Sequence, residues 1–246
     1  MVKAGVSLKQ RLEIRGVGSK EVSQLTNNRV LALIPAYNEA LRVAQVVSGA
    51  LAHLPVLVID DGSTDDTAAQ AEASGATVLR QTPNQGKGMA LRTGLRWALD
   101  KNYEAILTLD ADGQHDPAEM PGFLDAYHSH RADLIIGARD FSQMPPVRRL
   151  ANSLGRWSFS WALGQPVRDN QSGYRLIGRR LAEAVLTSSE QGFEFEVEMI
   201  VTCVRDGFVL DWVPIRTIYA GEASHISPWR HVANFLRMVW RTKQSV

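Results

Sequence analysis

The chain of 246 residues holds a single cysteine, Cys203, so no disulfide can form within it. Its neighbours, Met199-Ile-Val-Thr-Cys-Val204, are largely apolar and read as helix, which makes that thiol a core side chain. Charge of one sign is also missing: 27 basic residues stand against 26 acidic ones, a formal net charge of +1. No global field draws such a chain to nucleic acid, and any basic surface must be local. The sequence has no apolar run long enough to span a bilayer. Its first 28 residues lack the continuous apolar segment of a secretory signal. The expectation is a cytoplasmic protein, free or peripheral on the cytoplasmic face of a membrane. Two nucleotide signatures are absent as well. No G-x-G-x-x-G follows the first strand, which excludes the dinucleotide fingerprint. No glycine stands five positions before Gly86, so Gly86-Lys87-Gly88 is not a P-loop.

What is present has the rhythm of an α/β domain. Apolar runs of strand length occur at Val30–Ile34, Val56–Ile59, Thr77–Leu79, Ile106–Leu109 and Asp133–Ile136. Amphipathic helical stretches separate them, among them one whose apolar face is Val43, Val46, Val47, Ala50 and Leu51. Strands alternating with helices over short loops imply a mostly parallel sheet with helices on both faces. Asn38 is the expected N-cap of the first helix, and Ser63 or Thr64 that of the second. Beyond Pro145 a helix carries Val147, Leu150, Leu154, Trp157 and Trp161 at helical spacing, and Phe208–Tyr219, interrupted by Pro214, reads as an edge strand. Residues 1–28 read as a tail or accessory element, 29–221 as the catalytic domain, and 222–246 as a loop and basic amphipathic helix. That last helix, with Trp229, Leu236 and Trp240 on one side and Arg230, Arg237 and Arg241 on another, fits a membrane surface as well as a protein one.

The chemistry concentrates at the carboxyl ends of the strands, where open α/β sheets bind ligands. Asp60-Asp61 follows the second strand, and Asp110-Ala-Asp112-Gly-Gln114-His-Asp116 follows Ile106–Leu109. Carboxylates so close repel unless a cation sits among them. In an extended chain Asp110 and Asp112 point the same way. Their hard oxygens suit Mg²⁺ or Mn²⁺, which share their shells with substrate phosphates. Asn84-Gln-Gly-Lys-Gly88 opens a helix with backbone N–H groups and a cation, which suit phosphate. Together these imply a nucleotide diphosphate held through a divalent cation. A leaving nucleoside diphosphate would be stabilised by that metal and by cations such as Lys87, Arg139 or Arg148.

Six stretches in order, Pro35-Ala-Tyr-Asn-Glu39, Asp60-Asp-Gly-Ser-Thr-Asp65, Asn84-Gln-Gly-Lys-Gly88, Asp110 to Pro117, Gly137-Ala-Arg139 and Asp169-x-x-Ser-Gly-Tyr-Arg175, carry a resemblance to the family 2 glycosyltransferases of GT-A fold. Within that family the chain resembles the dolichyl- or polyprenyl-phosphate sugar transferase branch. The resemblance implies an inverting transfer from a UDP- or GDP-linked sugar, with a polyprenyl phosphate as first acceptor and a saccharide or other hydroxyl as second. It implies a nucleotide pocket lined by Pro35, Tyr37, Glu39 and Ala111, with Asp61 at the base and Lys87 at the phosphates. Asp110, Asp112 and Gln114 would hold the metal, and Arg139, with Arg148 or Arg149, would face the phosphates. Asp169 would orient acceptor or sugar, or act as base. A hydroxyl acceptor would require a carboxylate such as Asp169, Glu194 or Glu196 to take its proton. His115 reads as a local turn contact, and Glu194, Glu196 and Glu198 as charges favoured by a helix N-terminus. His225 could reach the diphosphate on loop closure. A sugar-phosphate nucleotidyltransferase would need a glycine-rich basic loop after the first strand, and Pro35-Ala-Tyr-Asn-Glu39 is not that. A non-catalytic scaffold would leave the aspartates without metal.

Overall fold

The computed structural model describes residues 29–140, 146–187 and 194–216, without the side chains of 146–152, 154, 155 and 194. The expectations for residues 1–28, for His225 and for the final basic helix lie outside these residues.

The core is a seven-stranded sheet in the order β3-β2-β1-β4-β6-β5-β7. Its strands are β1 (Val30–Ala36), β2 (Val56–Asp60), β3 (Thr77–Arg80), β4 (Ala105–Thr108), β5 (Leu134–Arg139), β6 (Arg175–Gly178) and β7 (Leu210–Ile215). Strands β1 to β4 pair in parallel, as does β5 with β7, while β6 runs antiparallel between β4 and β5. The expected mostly parallel sheet is therefore observed, with one strand, β6, that the sequence pattern did not reveal. β7, with Pro214, forms the edge as expected.

The strands at the centre are apolar on both sides because both sides are covered. Val30, Ala32, Ile34 and Leu107 face a cluster built with α1 (Val43–Leu51), α2 (Thr67–Ala73) and α4 (Met120–His130). Leu31, Leu33, Leu57, Ile59 and Ile106 face α3 (Lys87–Asp100), α5 (Pro146–Leu163), α6 (Arg179–Val185) and α7 (Glu194–Arg205). Leu33, Ile34, Leu57 and Ile59 are wholly buried, each contributing about 1.5–3 kcal/mol by removal from water. Cys203 is buried in α7, as its neighbours implied, and burial pushes its thiol up to about 12. On α5, Phe159 and Leu163 face the core, whereas Trp157 and Trp161 are exposed.

Two capping expectations are corrected. α1 begins at Val43, and Asn38 instead takes a left-handed turn (φ 55°), a region Asn tolerates. Its side-chain oxygen accepts from Thr64 N–H at 2.9 Å, and its own N–H donates to Ser63 Oγ at 2.9 Å. Ser63 and Thr64 are thus spent on the first βα loop, and α2 starts at Thr67 with no side-chain cap. Glu39 N–H donates to Thr67 Oγ1 at 2.7 Å, which completes the clamp between the loops after β1 and β2.

Candidate active site

That clamp fixes one wall of a cleft of about 460 Å³ at the carboxyl ends of β1, β2 and β4. Pro35 lines it from the end of β1, and Tyr37 and Glu39 from the loop that follows. Asp61 lines it from the end of β2, Lys87 from the start of α3, and Asp110, Ala111 and Asp112 from the loop after β4. All the expected nucleotide-pocket residues therefore share one cavity. Tyr37 is half exposed at its mouth.

Asp61 is almost wholly buried. Its Oδ1 accepts from Gln81 Nε2 at 2.7 Å and from Gln85 N–H at 2.8 Å, and its Oδ2 from Gly86 N–H at 2.7 Å. The carboxylate thus moors the loop that delivers Lys87. The approach is close: a Cβ on Gly62, where φ is +76°, would stand 2.8 Å from Asn84 N, so glycine is required there.

The aspartates after β4 do not lie in extended chain. Residues 111–113 form a turn, with Gly113 at φ 76°, so the expectation of parallel side chains on a strand is corrected. The turn aims both at the cleft by another route. Asp112 Oδ1 accepts from Gln114 N–H at 2.9 Å, and Asp110 N–H donates to His115 Nδ1 at 3.1 Å. His115 is the local turn contact expected of it, its ring 5.0 Å from Tyr174. Burial holds its pKa below the ordinary value, so it is the neutral ring that accepts this N–H. Gln114 contributes its backbone to this turn and is not among the residues that line the cleft.

Lys87 Nζ lies 2.6 Å from Asp110 Oδ1 and 3.2 Å from Glu196 Oε1. Burial works against the charge on Lys87, yet Asp110 and Glu196 together raise its pKa. Burial likewise opposes ionisation of Asp110, but the charge of Lys87 and its hydrogen bond hold the carboxyl down at about 2. Asp112 is the reverse case. Burial pushes it up, the Asp110 charge adds to that, and the Gln114 N–H only partly offsets them. A pair of hard carboxylates, one made uncomfortable by the other, is the donor set a divalent cation relieves. Among the described residues no three His, Cys, Asp or Glu side chains cluster as a closed metal cage. Asp110 and Asp112 fit an ion whose shell is completed by water and substrate phosphate.

A second layer flanks this site. Asp169, buried, accepts from Arg139 Nε at 2.6 Å and Nη2 at 3.0 Å, and from Gln171 N–H at 3.0 Å. Arg175 is wholly buried and donates to the carbonyls of Ser172 (2.7 Å), Asn170 (3.2 Å) and Glu196. Thr108 Oγ1 donates to Gly173 carbonyl at 2.8 Å. Segment 169–175 is thereby pinned against β4, and Gly173 leaves the room that Lys87 and Asp110 occupy: a Cβ there would stand 2.9 Å from both Lys87 Nζ and Asp110 Oδ2. Arg148 lies on α5, but its side chain and that of Glu194 are outside the described residues.

From the sequence, Glu196 is a charge favoured by a helix N-terminus and one of three candidate bases. The structure places it in the buried charge cluster, its side chain 8% exposed. One signal could have found it. Glu196, Met199, Ile200 and Cys203 recur at helical spacing, and the last three are buried apolar residues, so Glu196 stands on the inward stripe of α7.

The model of glycosyl transferase family 2 matches residues 32–184. The chain belongs to this family. It is a glycosyltransferase, as the resemblance of its motifs implied. Among curated relatives, a polyprenol monophosphomannose synthase of Mycolicibacterium smegmatis is 31% identical over 82% of this chain and 82% of its own. An undecaprenyl-phosphate mannosyltransferase of Micrococcus luteus is 33% identical over 76% and 82%. The relatives bear out the resemblance to the polyprenyl-phosphate branch. The crystal structure of glucosyl-3-phosphoglycerate synthase from Mycobacterium tuberculosis, in complex with Mn²⁺, UDP and phosphoglyceric acid, superposes with a TM-score of 0.67. It is 21% identical, covering 90% of this chain and 79% of that one. This glycosyltransferase neighbour bears out the GT-A fold.

Proposed function

We propose that this glycosyltransferase moves a sugar from a UDP- or GDP-linked donor to a polyprenyl phosphate, with inversion and with Mg²⁺ or Mn²⁺ as cofactor. The observation that carries the reading is the meeting of Asp110, Asp112 and Lys87 in one cleft with Tyr37 and Asp61. Tyr37 offers a half-exposed ring on which a base can stack. Asp61 holds the lysine-bearing loop and lines the same cleft. Asp110 and Asp112 would hold the divalent cation, which when bound neutralises the diphosphate oxygens.

In the transfer, an acceptor oxygen forms a bond to the anomeric carbon as the bond from that carbon to the diphosphate breaks. The electron pair leaves with the nucleoside diphosphate. Among the described residues, Lys87 and Arg139 are cations that would favour that charge. Asp169 acts on Arg139, whose planar head it grips at two points. A hydroxyl acceptor would need a base, yet Asp169 is engaged with Arg139 and Glu196 with Lys87. A phosphate oxygen is already anionic and needs none. This favours the lipid phosphate, as do the names of the two relatives. Among the described residues no helix is long and apolar enough to cross a membrane. The exposed Trp157 and Trp161, one turn apart on α5, are of the kind found at headgroup level and support access from a membrane surface.

The test supplies labelled GDP-mannose, UDP-glucose or UDP-N-acetylglucosamine with Mg²⁺ and undecaprenyl phosphate. Label passing into the lipid extract from one donor is expected. Label passing only to added saccharide would move the reading to a hydroxyl acceptor, and no transfer to lipid from any donor would overturn it.

A further inference from the structure

We infer that Glu196 is a positioning residue for the metal site: it is the second berth of Lys87, whose ammonium group balances Asp110 until a divalent cation takes that carboxylate. The inference rests on the reading that Asp110 and Asp112 hold such a cation. Lys87 Nζ touches Asp110 Oδ1 at 2.6 Å, an oxygen the ion would need. Two cations cannot share that contact without strong repulsion. The lysine must yield, and Glu196 Oε1, at 3.2 Å, already stands beside it. Departure into solvent is the costlier course, because it would leave Glu196, with a side chain only 8% exposed, as an unpaired buried charge.

The berth is itself fixed. The Arg175 guanidinium donates to the Glu196 carbonyl, and Arg175 is wholly buried. Gly173 closes the back of the lysine's position, where a Cβ would come within 2.9 Å of Nζ. Lys87 thus has a carboxylate at each of two contacts, Asp110 and Glu196, while its open side faces the cleft. An ion at Asp110 shortens the lysine's contact with Glu196, and loss of Glu196 ties the lysine to Asp110 alone.

Titration with Mn²⁺ and no nucleotide, following free Mn²⁺ by electron paramagnetic resonance, tests this. Thermal melts confirm that each variant is folded. Glu196→Gln is expected to weaken Mn²⁺ binding about tenfold, the scale of one charge contact. Lys87→Met, which removes the competing cation, is expected to tighten it. A merely structural role for the pair would weaken binding in both variants. Wild-type affinity in Glu196→Gln, or unchanged or weaker binding in Lys87→Met, would overturn the inference. If Glu196→Gln does not fold, Lys87→Met decides alone. Wild type that binds no Mn²⁺ overturns the metal reading and this one with it. Binding that Asp112→Ala abolishes and Glu196→Gln leaves unchanged overturns this one alone.

Discussion

Arg139 and Asp169 face each other as a two-point ion pair, Nε to Oδ2 at 2.6 Å and Nη2 to Oδ1 at 3.0 Å, with the aspartate buried. The two come from distant parts of the chain, the end of β5 and the loop before β6. Their pairing makes Asp169 the holder of Arg139. Asp169→Ala removes the carboxylate that grips Arg139 at two points in a largely buried place, and thermal or denaturant unfolding should show a loss of about 3–5 kcal/mol. Arg139→Lys should not restore transfer, since an ammonium group cannot make the two-point contact. Full activity in Arg139→Lys would contradict this role.

Asp61 should act through the loop it moors. Asp61→Ala frees Gln85 N–H, Gly86 N–H and the Gln81 amide, at a cost to stability of about 2 kcal/mol. Its larger effect should fall on donor KM, because Lys87 loses its place. Steady-state kinetics at varied donor would show KM rising severalfold with a smaller change in kcat.

Gly173→Ala tests how tightly segment 169–175 is fitted to the charge cluster. The added methyl would press on Lys87 Nζ and Asp110, each 2.9 Å away. These are side-chain ends that can shift, so the fold should tolerate the change while transfer falls at least tenfold. A melting temperature near wild type with lost activity is the expected pair of results.

Most of the architecture was legible in the sequence, for physical reasons. The strands buried on both faces read as continuous apolar runs, and acidic or glycine-lysine turns at their ends marked the binding rim. β6 was not legible, since Arg175-Leu-Ile-Gly178 has only two apolar residues between the buried Arg175 and a glycine. Asn38 looked like a cap, but its oxygen serves a loop distant in sequence, and no local pattern encodes that. The cleft residues were legible as members of one site. Their partners were not, because Asp61 with Gln81 and Lys87 with Glu196 are contacts between loops and helices that only the assembled sheet brings together.

Cys203 gives a pH test of the core. Its thiol is pushed up to about 12 by burial, with a small addition from Asp133. A raised pKa in the fold favours the neutral thiol. Its contribution to stability is then full below the ordinary thiol pKa and is lost as pH rises from there toward about 12. At pH 8 the folded protein should react with a thiol reagent at least a hundredfold more slowly than the unfolded chain. Equal rates would place Cys203 at the surface.

In the proposed function, Asp110 and Asp112 bind a nucleotide diphosphate through a divalent cation. Calorimetric titration with UDP and with GDP, each with and without Mn²⁺, on wild type and Asp112→Ala, tests it most directly. Binding of one nucleotide that is lost without the metal and lost in the variant is expected. Binding that is indifferent to Mn²⁺ and to Asp112→Ala, or no binding of either nucleotide, would contradict it.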